Sequence, residues 1–283
     1  MAAATTTAPP ARLRRETRAL LGFMERQRNI YKRFWTWELV FFAYSLISVC
    51  SIGFLASGLP SIAGTHVDTR STQLYLLAGA LLWSYLSLIF MEVDWAVGVE
   101  RWEGTIEYTF MAPVRRATHL IGVWCATVIY ALLRTALIVV VLVPLFHLDL
   151  RGADLWAALV ILLVATLPLA GIGILVAIMP LLAPEKGEQM SVSVQGVFLL
   201  VSGVYYPVDV LPQPLHAMGL ASPLTYVLQG IRDALLRGRS ALDMLPMLGM
   251  LALSGAVLIP LSLWLFSRAE RRAKRLGLLK RSG

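Results

Sequence analysis

The sequence predicts an all-α, polytopic membrane protein with six transmembrane helices. Of its 283 residues, 58% are hydrophobic and 15% are charged, whereas soluble domains carry about a quarter charged residues. Several apolar stretches approach the roughly 20 residues that cross a bilayer as a helix. The net charge of +8 is concentrated near the two ends of the chain, where basic residues beside spans orient a membrane protein. This placement argues against a nucleic-acid partner and for contact with membrane lipids.

Residues 1–33 are predicted to be a cytoplasmic N-terminus that contains an amphipathic interface helix. Eight Lys and Arg residues fall between Arg12 and Arg33, and apolar residues such as Leu20 and Met24 recur among them at helical spacing. A helix with one basic and one apolar face lies in the plane of the membrane interface. A disordered basic tail is the alternative interpretation.

The transmembrane domain is predicted over residues 34–267, ahead of a basic cytoplasmic tail at 268–283. Polar loops divide it into apolar runs, and Pro168 inside the fourth run predicts a bend or close packing. The fifth run is short, since 17 residues rise only about 25 Å against a hydrocarbon core of about 30 Å. The predicted spans are 34–57, 73–93, 117–146, 155–180, 190–206 and 244–267.

Prolines interrupt the semi-polar segment between the fifth and last spans. This segment, residues 207–240, is predicted to form short re-entrant extracellular helices. They would enter the bilayer only partway and be shielded by protein, because irregular backbone exposed to lipid is too costly.

The distribution of Lys and Arg predicts which side each loop occupies. Six spans place both termini on one side of the membrane. The two terminal segments, the loop 94–116 and Lys186 carry 19 Lys and Arg residues, and the loops of the other side carry five. Because cytoplasmic loops are enriched in Lys and Arg, both termini are predicted to lie in the cytoplasm.

No catalytic or metal-binding constellation is found in the sequence. It contains neither a His-Glu-x-x-His pair nor a Gly-rich phosphate loop ending in Lys-Ser/Thr. The four histidines are scattered at span ends and in loops, and Cys50 and Cys125 fall inside apolar runs, where free thiols act as small hydrophobic groups. The chain is therefore predicted not to be an enzyme.

Two charged residues lie inside predicted spans. Arg134 is near the middle of the third span, where an ionised side chain is costly and usually faces protein or water. Either a structural role, with a paired or carbonyl-capped guanidinium, or contact with a substrate fits this position. Glu38 lies about one turn inside the first span, where a pair with Arg33 or a helix-end role is expected.

The cytoplasmic loop 94–116 is predicted to hold a short helix at about 98–111. Three carboxylates share one helical face, and a second face carries an apolar ridge; these residues are Glu100, Glu103, Glu107, and Ile106, Phe110, Met111. Such a helix suits docking into a groove of a partner protein. A solvated connector fits the physical pattern equally well.

Two motifs resemble a known family. Glu-Arg-x-x-Gly-Thr-x-Glu at 100–107, followed by Pro113, resembles the coupling-helix region of type 2 ABC transporter permeases. The stretch Ser-Gly-Val-Tyr-Tyr-Pro-Val at 202–208, with Ser-Pro-Leu-Thr-Tyr at 222–226 and Ile-Arg at 231–232, is similar to that family's passage from the fifth span into re-entrant helices. The order of the motifs and the surrounding topology extend the resemblance over nearly the whole chain. Trp102 and Tyr108 depart from the pattern.

The resemblance implies a membrane subunit that works with two ABC ATPase subunits and a second permease, identical to the first. ATP and Mg²⁺ would bind the ATPase, and this chain would hold no cofactor. The residues expected at the ATPase contact are Glu100, Arg101, Glu103, Gly104, Thr105, Ile106, Glu107 and Phe110. The extracellular-gate role falls on Tyr205, Tyr206, Pro207, Pro223 and Tyr226.

The predicted function is export from the cytoplasm or inner leaflet, across the cytoplasmic membrane, of an amphipathic substrate. A drug, a lipid or a lipid-linked glycan would be the substrate class. A polysaccharide or O-antigen export permease is the nearest alternative. A membrane-embedded enzyme and a secondary transporter are the alternatives from other classes.

Overall fold

A computed structural model describes residues 9–63, 69–102, 116–183 and 187–276, and these ranges are helical with no β-strand. The all-α prediction is therefore confirmed. In chain order the elements are α1 (Pro9–Arg33), α2 (Trp35–Ala63), α3 (Thr69–Trp102), α4 (Arg116–Leu145), α5 (Leu155–Val176), α6 (Ile178–Leu182), α7 (Gly187–Val201), a 3-10 turn (Val208–Val210), α8 (Gln213–Ala221), α9 (Pro223–Arg237) and α10 (Leu245–Arg275).

Within the described ranges, five helices are long and apolar enough to cross a membrane. They correspond to the predicted spans other than 190–206, and they are Trp35–Leu59, Arg70–Met91, Thr118–Leu145, Leu155–Val176 and Leu245–Arg275. The run at 190–206 forms a shorter apolar helix, Gln189–Val201. Its 13 residues rise about 20 Å, less than the hydrocarbon core.

Several helix boundaries differ from the predicted ones. The run at 155–180 divides at Ala177 into α5 and α6, because Pro180 has no N–H to bond to the carbonyl of Val176. Helix α3 continues to Trp102 and helix α10 to Arg275. Leaving an apolar segment does not by itself end a helix, and both helices continue beyond the predicted spans.

Helix α1 and the last turns of α10 lie at the same end of the bundle. Leu120 of α4, Leu181 of α6 and Phe266 of α10 belong to one buried cluster. Helix α1 joins this end through Phe23, whose ring centroid lies 4.6 Å from that of His119. We call this end, defined by Leu120, Leu181 and Phe266, the α1 end.

The opposite end is formed where α2 finishes, α3 begins and α4 finishes. Val49, Leu77 and Leu142 form a buried cluster there, and Arg70 pairs with Asp149 at 2.7 Å. The backbone N–H of Arg151 and the Arg70 guanidinium lower the pKa of Asp149 below its usual value. These contacts join the connectors at this end of the bundle.

Helices α5 and α10 run parallel at the centre and approach each other closely. A Cβ atom added to Gly171 would lie 2.6 Å from the Cβ of Leu258, and one added to Gly255 would lie 2.5 Å from the Cβ of Leu167. Small residues allow two helix backbones to approach in this way. Gly171 and Gly255 therefore permit the close contact of α5 and α10.

Candidate functional site

The segment between α7 and α10 folds back on itself as two short helices. The junction between α8 and α9 lies against the end of α7. The hydroxyl of Ser222 at this junction is 3.3 Å from the hydroxyl of Ser202, which follows α7. Helix α9 then runs to the opposite end, where the carbonyl of Ala234 accepts the N–H of Asp154 at 3.0 Å. We call α8 and α9 the helical hairpin. The predicted segment 207–240 thus consists of a 3-10 turn and this hairpin.

A buried arginine attaches the hairpin to the end of α7. Arg232 is 8% exposed and donates to the carbonyls of Gly203 at 3.0 Å and Val204 at 2.6 Å. These carbonyls follow the last turn of α7, where the helix supplies no donors. The guanidinium also lies over the Tyr75 ring of α3, 3.6 Å from its centroid. Arg232 therefore joins α3, α7 and α9.

The left-handed backbone of Gly203 makes this turn possible. Its φ is +71°, a region that glycine reaches without the penalty of a Cβ atom. An added Cβ would also meet the Cγ2 of Val208 at 2.7 Å. The chain can therefore turn from α7 directly into the segment that Arg232 holds.

Two of the predicted gate tyrosines cap helix ends. The Tyr206 hydroxyl donates to the carbonyl of Leu200 at 2.5 Å, and the Tyr226 hydroxyl donates to the carbonyl of Leu220 at 2.8 Å. Both carbonyls belong to last turns, which have no partners within the helix. The two tyrosines thereby tie the ends of α7 and α8 to the segments that follow them.

The other predicted gate residues lie nearby. Tyr205 is partly buried and packs between two buried clusters. Pro207 is exposed in the turn, and Pro223 begins α9, a position that suits its fixed φ and missing N–H. The structure therefore brings all five predicted gate residues to the hairpin and the end of α7.

A cavity of about 390 Å³ opens beside the hairpin. Its wall combines polar, charged and apolar groups: Tyr75, Ser202, Pro207, Val208, Asp209, Leu220, Thr225, Gln229, Arg232, Asp233, Leu236 and Arg237. Tyr75 and Gln229 show no local signal in a single sequence. Arg232 stands in a semi-polar segment where charge is common, and its buried position reveals its role.

Arg134 and Glu38 lie in the contact between α2 and α4. Arg134 donates to the Phe41 carbonyl and the Ser45 hydroxyl, both at 2.5 Å. Glu38 accepts a hydrogen bond from the Tyr130 hydroxyl, and Tyr31 of α1 stacks on the Tyr130 ring. The geometry favours a structural, carbonyl-capped Arg134.

The predicted docking segment lies only partly in the described residues. Residues 98–102 form the last residues of α3, so the backbone of Glu100 and Arg101 is helical. Glu103, Gly104, Thr105, Ile106, Glu107 and Phe110 lie outside the described residues. Among the residues that the structure does describe, no three His, Cys, Asp or Glu side chains are grouped to hold a metal ion.

The family of the chain follows from comparison with known proteins. The model of the family described as ABC-2 type transporter matches residues 19–236, from within α1 to the end of α9. No curated protein is similar enough to the chain to be matched. Membrane subunits of this family normally work with a separate ATP-binding subunit that carries the ATPase activity. The chain is thus a multi-pass membrane protein that belongs to the ABC-2 type transporter family and serves as its permease component.

Proposed function

We propose that two copies of this chain form the transmembrane path of an ATP-driven exporter in the cytoplasmic membrane, with two ATPase subunits attached. The observation that carries the proposal is the family match over residues 19–236. It includes the loop predicted to contact the ATPase and the hairpin predicted to close the path on the outside.

The proposed topology has six crossings with both termini in the cytoplasm. Helix α7 is too short to cross alone, and the hairpin completes its crossing by returning the chain to the opposite end. Phe23 of α1 contacts His119 at the end of the bundle where α10 also finishes. This arrangement supports the placement of both termini on the same side of the membrane. The basic residues near both termini favour the cytoplasm for that side.

An amphipathic substrate fits the groups near the proposed exit. The cavity beside the hairpin presents Leu220 and Leu236 together with Gln229 and Thr225. Ligand sites combine such apolar walls with a few polar groups. A drug, a lipid or a lipid-linked glycan is therefore the proposed substrate class, and the helical hairpin is the proposed extracellular gate.

Reconstitution with the ATPase subunit tests the export proposal. Vesicles containing both subunits should move a fluorescent phospholipid or a cationic dye away from the ATPase side when Mg-ATP is added. A cavity variant, Gln229→Trp, should reduce transport by filling the exit, while Mg-ATP hydrolysis continues. Transport toward the ATPase side would contradict export. Movement of a polysaccharide alone would overturn the substrate class and leave export intact.

Residues 98–111 are proposed as the helix that docks into the ATPase. Burial of a Phe side chain contributes about 1.5–3 kcal/mol, which corresponds to roughly ten- to hundredfold in affinity. Phe110→Ala should therefore weaken co-purification with the ATPase more than Glu107→Gln does, since a charge at the rim mainly adjusts association and register. Both changes should uncouple hydrolysis from export. Wild-type binding and transport by a Phe110→Ala, Glu103→Ala double variant would disprove the assignment.

A further inference from the structure

The exposed face of α10 changes from apolar to basic within one turn. Leu261 and Trp264 are exposed on this face, and Arg268, Arg271, Arg272 and Arg275 are exposed on the turns that follow. The opposite face, with Phe266 and Ala273, is buried. Spacings of three and four residues place these exposed side chains in one stripe. We call Arg268, Arg271, Arg272 and Arg275 the arginine face.

Among the residues that the structure describes, no carboxylate pairs with the four cations of the arginine face. Arg268 lies over the Trp264 ring, 3.8 Å from its centroid, and the Nε of Arg271 donates to the Ser267 carbonyl at 3.3 Å. Across the described ranges none of the four forms an ion pair, whereas the neighbouring Lys274 pairs with Glu270 at 2.7 Å. The four arginines line a recess of about 430 Å³. A guanidinium group suits a phosphate group, because it can donate two parallel N–H bonds to the phosphate oxygens.

The position of the arginine face along α10 places it at the membrane surface. Trp side chains settle at the boundary between hydrocarbon and headgroups. Arg268 lies about 6 Å beyond Trp264 along the helix axis, within the headgroup layer of about 5–8 Å on each side. Side chains on a helix lean toward its N-terminus, so the long Arg271 and Arg275 side chains can extend back toward the bilayer.

We propose that the arginine face binds the phosphate of an anionic phospholipid headgroup in the leaflet at the α1 end. The four unpaired cations provide the charge complementarity, and the adjoining apolar stripe receives the acyl chains. A protein partner with an acidic surface is disfavoured, because Leu261 and Trp264 continue the same face directly into the membrane. This site would make assembly or activity of the transporter sensitive to anionic lipid.

Native mass spectrometry of the full-length protein, titrated with phosphatidylglycerol or phosphatidylcholine, tests the proposal. Each basic residue near an anionic surface contributes about fivefold to binding. Replacing all four arginines of the face by Gln should therefore weaken phosphatidylglycerol retention at least about tenfold, with phosphatidylcholine retention unchanged. Replacing them by Lys should restore only part of the binding, because an ammonium group keeps the charge but cannot donate two parallel N–H bonds. The matched control, Arg→Gln at the exposed Arg14, Arg15, Arg18 and Arg28 of α1, should keep most of the binding.

Three outcomes would overturn the site. Unchanged phosphatidylglycerol retention in the four-Gln variant would show that the face binds no lipid. An equal loss in the α1 control would show diffuse attraction to the surface in place of a site. Loss of the ATPase subunit with lipid retention intact would identify the face as a protein contact. If the four-Gln variant does not fold, the single variant Arg268→Gln provides the test. It should weaken phosphatidylglycerol retention by about threefold or more.

Discussion

The two buried arginines show how single residues stabilise this protein. Arg134 and Arg232 are each 8% exposed, and carbonyl and hydroxyl oxygens of the described residues accept their hydrogen bonds. The acceptors differ in an important way. Phe41 lies within helix α2, where its carbonyl already has a helical partner, while Gly203 and Val204 lie in a turn. Of these two arginines, Arg232 is therefore the one whose N–H groups satisfy backbone carbonyls that have no helical partner.

The sequence allowed one of these two roles to be predicted. Arg134 interrupts a long apolar run, so its cost in the membrane is evident from the sequence, and a carbonyl-capped role was among the expectations. Arg232 lies in a semi-polar segment where charge is unremarkable. Its partners are 28 and 29 residues away, and no local pattern links residues so distant.

Replacement of Arg232 should destabilise the hairpin. In Arg232→Met, two buried carbonyls lose their donors, and each unsatisfied group costs about 1–3 kcal/mol. We expect a clear drop in Tm in detergent, measured by intrinsic fluorescence. Arg237→Met is the matched control on α9, because the Arg237 side chain is 72% exposed and exposed ion pairs contribute about 0–1 kcal/mol. Equal Tm losses in the two variants would contradict the capping role of Arg232.

At the scale of elements, apolar length predicted the helices well and predicted their ends poorly. Five predicted spans correspond to long apolar helices, since about 20 apolar residues form a strong signal. The hairpin was located by its prolines, and Pro223 does begin α9. The break at Ala177 was missed, since the predicted run included Pro180 as an apolar position. The arrangement of α5 beside α10 depends on contacts between distant residues, which hydropathy does not encode.

The close contact of α5 and α10 predicts a position-dependent effect of adding a methyl group. Gly171→Ala and Gly255→Ala place a Cβ against backbone and Cβ atoms of the facing helix, at 3.0 Å or less. Such overpacking costs about 1–3 kcal/mol, so both variants should lower the Tm in detergent.

Gly249→Ala is the control for these variants on the same α10. An added Cβ at Gly249 meets nothing within 4 Å, and Ala is favoured over Gly in a helix by about 1 kcal/mol. The Tm of Gly249→Ala should therefore stay the same or rise. A similar Tm change in all three variants would show that helix propensity, and not packing between α5 and α10, determines the effect.

At the scale of the whole molecule, the bundle has two chemically different ends. The arginine face of α10 lies at the α1 end, and so do Arg14, Arg15 and Arg18 of α1, whose neighbour Glu16 accepts a hydrogen bond from Thr118. Arg70, Arg151 and Arg237 lie at the opposite end, where Arg70 and Arg237 pair with Asp149 and Asp233. The ion pairs of Arg70 and Arg237 neutralise part of the basic charge at the opposite end, whereas the arginine face forms no ion pair within the described residues. Such an asymmetry orients a protein across the membrane.

This asymmetry, together with the hairpin, predicts which positions an impermeant thiol reagent reaches in intact cells. With Cys50 and Cys125 replaced by Ala, Thr69→Cys and Leu242→Cys should be modified, because both positions lie at the opposite end, at the start of α3 and just before α10. Ser282→Cys should react only after the membrane is permeabilised. Modification of Ser282→Cys but not Thr69→Cys in intact cells would reverse the orientation. Modification of Thr69→Cys but not Leu242→Cys would show that α7 and the hairpin do not together complete a crossing. In that case α3, α4 and α5 would be the crossings between the two positions, and this odd number would place them on opposite sides.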